Sequence, residues 1–232
     1  MAKAPAKTAE IAVAIQPLKF EIAQFCLIGT APLVINKFSE KAKQMMLDKH
    51  VAGSTAKKGG AREAKNIDAV FNGARHISDE GWDGISASAF RNAAISACRL
   101  VGYKMTLAKL SVFIEPDGFD ADEGSPLVRI IGGAPRMHTA ATRNATGVAD
   151  VRIRPQWRRW GVRLRVRYDA TQFTAEDITN LIQRVGAQVG VGEGRPDSKS
   201  SAGIGFGTFR FCEPAELEAI EAAASAAVAE AA

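Results

Sequence analysis

The chain has no run of about 18 apolar residues, which excludes a predicted helical membrane span. It has three cysteines, Cys26, Cys98 and Cys212, far apart and each in apolar surroundings. With no CxxC and no Cys/His spacing, neither a zinc site nor a disulfide framework is expected, and the three read as buried free thiols of a reducing compartment. The N-terminus carries lysines but no apolar core followed by a cleavage site, so no secretory signal is expected and the predicted location is the cytoplasm. Histidines are scarce (His50, His76 and His138), and no GK[ST] stands after a glycine-rich turn, which excludes a P-loop. Four acids, Asp117, Asp120, Asp122 and Glu123, share one loop but lack the glycine and closing glutamate of a calcium loop, so a solvated turn is expected and no metal. The most telling shortage is local. From Arg129 to Arg167 there are ten arginines, no lysine and one acid, Asp150.

Within that basic stretch lies GVRLRVRY at 161–168. Val162, Leu164, Val166 and Tyr168 alternate with Arg163, Arg165 and Arg167, the pattern of a strand with one buried and one wet face. Like charges along one sheet face repel, so the arrangement costs stability and asks for a reason. Val151-Arg152-Ile153-Arg154 repeats the alternation upstream, and Arg158 and Arg159 stand between Trp157 and Trp160. Arginine favours a phosphate surface because its planar fork grips oxygens in pairs and stacks on bases. The other reading is a sheet face that meets the acids of another subunit. The totals fit a globular chain with an anionic partner: 232 residues, 47% hydrophobic, net charge +5 and a pI near 9.2.

Taken in order, residues 1–18 are rich in Ala, Lys and Pro and read as an arm. Residues 19–29 (KFEIAQFCLIG) predict the first strand. Ser39 caps an expected helix to about residue 49. Residues 51–65 form a basic loop with Lys57, Lys58, Arg62 and Lys65, placed to close over a ligand held by the arginine strands. A helix is predicted from Ser86, with Phe90, Ala94, Ala97, Cys98 and Val101 on one face and Gly102 as its stop. Its first turn, with Ser88 and Arg91, offers free N–H groups to a phosphate, although plain capping explains the serines as well. Strands are predicted at 110–115 and 127–131. Residues 132–149 read as irregular and hold Arg136, His138 and Arg143. Thr174 caps a second helix with an apolar stripe of Ile178, Leu181, Ile182 and Val185, ended by Gly186. VGVGEGRPDSKSSAGIGFGTFRF follows. Its six glycines, from Gly190 to Gly207, let backbone pass close to other groups, and Phe206, Phe209 and Phe211 predict a last strand. They precede a strand and open no helix, so a dinucleotide fingerprint fits poorly. The Ala- and Glu-rich residues 213–232 read as an appendage with little to bury.

This order predicts an α+β fold, ferredoxin-like (RRM-like), with a β-α-β-β-α-β core at 19–212 and long insertions at about 36–85 and 103–160. The second helix followed by GVGEGR and GIGFGTFRF resembles the glycine-rich loop and closing strand of the RAMP superfamily of RNA-binding proteins. Asn36-Lys37, the basic insertion at 57–65 and the SASAFRNAA helix opening resemble the guide-RNA-binding backbone subunit of CRISPR effector complexes. The resemblance implies a palm that holds an RNA backbone, thumb-like insertions between neighbouring subunits, and assembly along the strand. The compact size suggests a stand-alone relative such as those carried by bacteriophages, and hence a bacterial or phage-infected cell.

The expected function is non-catalytic binding of single-stranded RNA or DNA, with a homo-oligomer or helical assembly, no cofactor and no membrane. Arg152, Arg154, Arg163, Arg165 and Arg167 would line a channel with Arg158, Arg159 and Arg195 at its ends. Trp157, Trp160 or Tyr168 would stack a base. Backbone grip and stacking predict little sequence specificity. Two alternatives stay open. One is a self-assembling structural protein whose arginine face meets acids of a neighbour, at 117–123 or 216–230. The other is a RAMP-type endoribonuclease; against it, His50 and His76 flank the basic loop with no partner acid at a telling spacing.

Overall fold

A computed structural model describes residues 17–37, 44, 47, 48, 66–143, 149–198 and 204–230. The expected helix after Ser39 lies mostly outside these residues, and so do the basic loop with Lys57, Lys58, Arg62 and Lys65, and His50.

The protein is mixed α and β, with antiparallel sheets. At the centre, β1 (Phe20–Gly29) pairs along its length with β10 (Gly161–Asp169), from Phe20 opposite Asp169 to Ile28 opposite Gly161. The short β11 (Phe209–Phe211) flanks β1, and β5 (Val112–Glu115) flanks β10, which gives the order β11-β1-β10-β5. The alternation in β10 sets which side is covered. Val162, Leu164 and Val166 are fully buried, and Arg163, Arg165 and Arg167, which alternate with them, emerge on the opposite face.

Two helices cover the apolar face. α2 (Ala87–Cys98), preceded in the chain by α1 (Ile67–Asn72), buries Phe90, Ala94, Ala97 and Cys98. α4 (Ala175–Arg184) buries Ile178, Leu181 and Ile182, and between the two helices runs the short α3 (Met105–Ser111). The start of α4 is held as its sequence predicts. The Thr174 side chain accepts from the Asp177 N–H while the Asp177 carboxylate accepts from Thr174, closing a capping box.

Two smaller sheets extend this body. β2 (Leu33–Val34), β9 (Ala149–Trp157) and β8 (Arg136–Arg143) form one, in the order β2-β9-β8. β3 (His76–Ile77), β4 (Asp83–Ser86), β7 (Pro126–Arg129) and β6 (Gly118–Phe119) form the other, in the order β3-β4-β7-β6. β4 runs directly into α2, so Ser86 is the junction of strand and helix.

Several expectations are corrected. Residues 136–143, read as irregular, are a strand paired with β9 from Arg136 opposite Gln156 to Arg143 opposite Ala149. Their small and polar residues carry little strand pattern, and the neighbouring ladder supplies the order. Leu110 and Ser111 belong to α3, ahead of β5. Val101 is exposed, because the helix tightens into a 3-10 turn at Arg99–Val101 before Gly102, which stops it in the left-handed conformation. α4 gives way at Val185 to a π-helical turn that ends at Gly190, not Gly186. Cys26 and Cys212 are half-buried; Cys98 is the buried thiol. Trp157 and Trp160 are core residues whose indole N–H groups donate to Gly133 O and Ala31 O, and Tyr168 is buried with its hydroxyl on Glu21, so none of the three is free to stack a base.

The largest departure is the tail. Residues Pro214–Glu230 form α5, which lies across the arginine face of the central sheet. Its Leu217 is fully buried at the point where Gly161 leaves no room for a Cβ. Ile220, Glu221 and Ala224 are half-buried beside it, and Leu217 is the fully buried anchor among the described residues of the helix. Leu217→Ala should therefore lower stability by about 2–4 kcal/mol, the range for emptying a leucine-sized core site. Urea denaturation measures it; a loss below about 0.5 kcal/mol would mean that α5 does not dock as described.

Candidate nucleic-acid interface

The arginine strand and the basic hairpin separate into two environments. On β10 each arginine has a carboxylate of its own chain. Arg163 Nη2 reaches Glu221 of α5 at 3.2 Å, and Arg165 donates to Pro116 O at 2.6 Å and to Asp117 at 3.2 Å. Arg167 Nε donates to Glu115 at 2.6 Å, and its guanidinium lies 4.7 Å from the ring centres of both Phe20 and Phe113. Arg210, on the same face, pairs with Glu216. The acids that the sequence offered as partners in a neighbouring subunit, in the 117 loop and the tail, are thus met within the chain. Pairs this exposed are each worth about 0–1 kcal/mol, enough to cancel repulsion across the sheet.

Two further candidates are structural. Arg91 donates through Nε to Val112 O at 3.0 Å and through Nη2 to Lys109 O, and stacks on Phe113, tying α2 to β5. The Lys37 ammonium, with its side chain 4% exposed, sits 2.7 Å from Asp120 and 2.8 Å from Asp122. Burial alone would lower the Lys37 ammonium, but the hydrogen bonds and charges of the two aspartates outweigh it and raise it. Asp120 was read as part of a solvated turn; its side chain is fully shielded. Burial pushes its carboxyl up, yet hydrogen bonds from Lys37, His76 and the backbone N–H groups of Glu123 and Asp122 win and hold it at about 2.

A second environment gathers other candidates into one open cleft of about 710 Å³. One wall is the β8–β9 hairpin, where Ala140 stands opposite Arg152 and His138 opposite Arg154. Asn36, just past β2, and Ser86 with Ala89 at the start of α2 line another side. The floor is the glycine-rich loop, Gly192-Glu193-Gly194-Arg195, with Ser198, Ile204 and Phe206. The glycines have a definite use here. Gly192, at φ 80°, passes so close to Val34 O that a Cβ would collide with it, and Gly207, at φ 68°, presses in the same way on Val191 O. Glu193 N–H then donates to Val34 O at 2.8 Å and Gly207 N–H to Pro32 O at 2.8 Å, which fastens the loop to β2.

Charge in the cleft is uneven. Arg154 Nε donates to Glu193 at 2.7 Å, Arg152 lies 3.5 Å from the other Glu193 oxygen, and Arg195 donates to Gly192 O at 3.1 Å. Two arginines thus share one carboxylate, and the charge of Arg195 also acts on Asp197. Phe206 meets His138 edge-on, with centroids 5.7 Å apart, and His76 faces the cleft from β3.

The remaining candidates are placed as follows. Arg136 is exposed on the hairpin face that carries His138, Arg158 and Arg159 are exposed in the turn between β9 and β10, and Ser88 is exposed with its hydroxyl 2.7 Å from that of Ser86. Arg143 is paired through its backbone at the far end of the hairpin. Sequence reasoning missed Glu193, hidden among glycines, and His76, whose partner acid lies 44 positions away. Among the described residues no cluster of His, Cys, Asp or Glu is arranged to hold a metal ion, and no helix is long and apolar enough to cross a membrane.

No family model matches the chain, and comparison with curated proteins also finds no match.

The Asp120 hub gives a stability test. Its carboxyl is held below the ordinary 3.8, so its contribution is present above that value and is lost as pH falls through about 2. Asp120→Asn should destabilise the protein at pH 7 by about 1.5–3 kcal/mol, the range for hydrogen bonds to a charged group, because Lys37 then keeps only the exposed Asp122 carboxylate. In chemical denaturation the gap between wild type and variant should narrow from pH 4 toward pH 2; a gap unchanged over that range would refute the ion-pair assignment.

Proposed function

We propose that the protein binds single-stranded nucleic acid without cleaving it, and that the strand's phosphates lie in the cleft between the β8–β9 hairpin and the glycine-rich loop. The observation that carries this reading is convergence. Asn36, the start of α2, His138, Arg152, Arg154 and Arg195 come from four distant segments and line one groove with more arginine than acid. Guanidinium forks beside close-approaching glycine backbone suit phosphate oxygens, and an open groove suits an unpaired strand better than a duplex. The arginines of β10 are secondary in this reading, since their charge is already answered by Glu115, Asp117 and Glu221.

The fold supports a finer assignment as part of the same proposal. The order β11-β1-β10-β5, with α2 and α4 as the two crossovers, is what a ferredoxin-like β-α-β-β-α-β core would have. The succession of helix, glycine-rich loop and closing strand is compatible with the RAMP resemblance. Assembly along the strand belongs to the proposal too. It is supported by the apolar side chains left exposed near the end of α2 and on α3, Leu100, Val101, Leu107 and Leu110.

The first test is absorbance at 260 and 280 nm and particle size of the purified protein, before and after RNase and DNase. A high ratio with particles that collapse under one nuclease is the expected result. With labelled single strands, Arg152→Glu and Arg154→Glu should each weaken binding at least about tenfold, a loss of roughly 1.4 kcal/mol. Arg163→Glu should weaken it less, and Glu193→Gln should tighten it by freeing two arginines. Three phosphate contacts predict that log K falls against log salt with a slope of about −2. Clean protein that binds no single strand at low salt would refute the reading.

A further inference from the structure

His76 stood in the sequence as a lone histidine beside a basic loop. In the fold it occupies β3, opposite Gly84 of β4, two residues before the Ser86 junction that opens α2. Its ring Nδ1 lies 2.8 Å from Asp120 Oδ2, and the histidine side chain is 12% exposed. The other oxygen of that carboxylate accepts from Lys37 Nζ at 2.7 Å and from the N–H groups of Asp122 and Glu123 at 3.0 and 3.1 Å. A carboxylate with three donors on one oxygen is ionised, and its second oxygen therefore accepts from Nδ1–H. That bond fixes the ring orientation and the tautomer, and leaves Nε2 as the basic nitrogen. The ring lines the same cleft as Arg152, Arg154 and Arg195.

We infer that His76 is a phosphate ligand of the cleft, and that its Nε2 takes up a proton when the strand binds. The inference rests on the proposed nucleic-acid cleft and adds to it a regulated contact. The charges facing the ring set the sign. Behind it, Lys37, Asp120 and Asp122 together carry one net negative charge, which an imidazolium would offset. Beside it, Arg75 and Asp83 cancel one another at 2.8 Å. Across the cleft stand His138 and the three arginines, with Glu193 among them; these oppose a further positive charge until a phosphate arrives. Ligand and proton therefore favour one another, and affinity rises as pH falls. His138 lacks this device, since its ring meets Phe206 edge-on.

The test uses the full chain and a fluorescein-labelled oligouridylate or oligothymidylate, whose bases do not titrate between pH 6 and 8. Affinity is measured by anisotropy at both pH values and constant ionic strength. Wild type should bind roughly five- to tenfold tighter at pH 6 than at pH 8, with up to one proton taken up as the strand binds. His76→Gln should flatten this dependence, with a cooperative melting transition as the folding control. His76→Lys should bind as tightly at pH 8 as at pH 6, and His138→Gln should keep the wild-type dependence. A flat wild-type profile, or one that survives His76→Gln, overturns the inference while the cleft reading stands. Absence of binding at both pH values overturns the cleft reading and the histidine contact with it.

Discussion

The antiparallel pairing of β1 with β10 is the constraint on which the rest of the structure depends. Its register runs unbroken from Phe20 opposite Asp169 to Ile28 opposite Gly161. A slip of one residue would turn Arg163, Arg165 and Arg167 into the core beneath α2 and α4 and expose Val162, Leu164 and Val166. Burying three guanidinium groups without partners is far costlier than any gain elsewhere, so the register is tightly specified. Both helices, the edge strands β5 and β11, and the docking of α5 are placed relative to this ladder.

Charge is then handled in two ways. On the sheet face and around Lys37, cations and carboxylates of the same chain meet at short range and settle one another. Such groups hold the body together and have little left for a ligand. In the cleft the balance is different: Arg152 and Arg154 lean on one carboxylate, Glu193. In the proposed reading a phosphate entering there would replace a shared partner, which is a smaller rearrangement than breaking a private pair. This difference in local stoichiometry, more than the count of arginines, separates scaffold from candidate site.

The glycine-rich loop links the two regimes. Gly192 and Gly207 let backbone press against Val34 and Val191, so the loop is packed onto β2 and does not hang free. That packing holds Glu193 and Arg195 in place opposite the hairpin, and it brings Phe206 against His138. Preorganised polar groups on a fixed frame lose less conformational freedom on binding than a floppy basic loop would.

Local pattern carried what depends on local physics. The alternation of β10, the extent of β1, the apolar stripe and capping box of α4, and the stop at Gly102 were all legible, because period and cap chemistry act within a few residues. The strand at 136–143 was not, because its order comes from pairing with β9. Neither was the docking of the tail, because one buried leucine and a few ion pairs leave almost no pattern. The arginines were correctly seen as one wet face, but their partners lay 48 to 58 residues away in sequence for Arg163, Arg165 and Arg167. Likewise, residues 76 and 120 carry no signal of belonging together; only the packing of β3 against the turn after β6 makes them a pair. Which residues are apolar, which are charged and with what period they alternate can be read along the chain. Which charges pair with one another and which line the cleft cannot, because electrostatic pairing depends on distance in space and not along the chain.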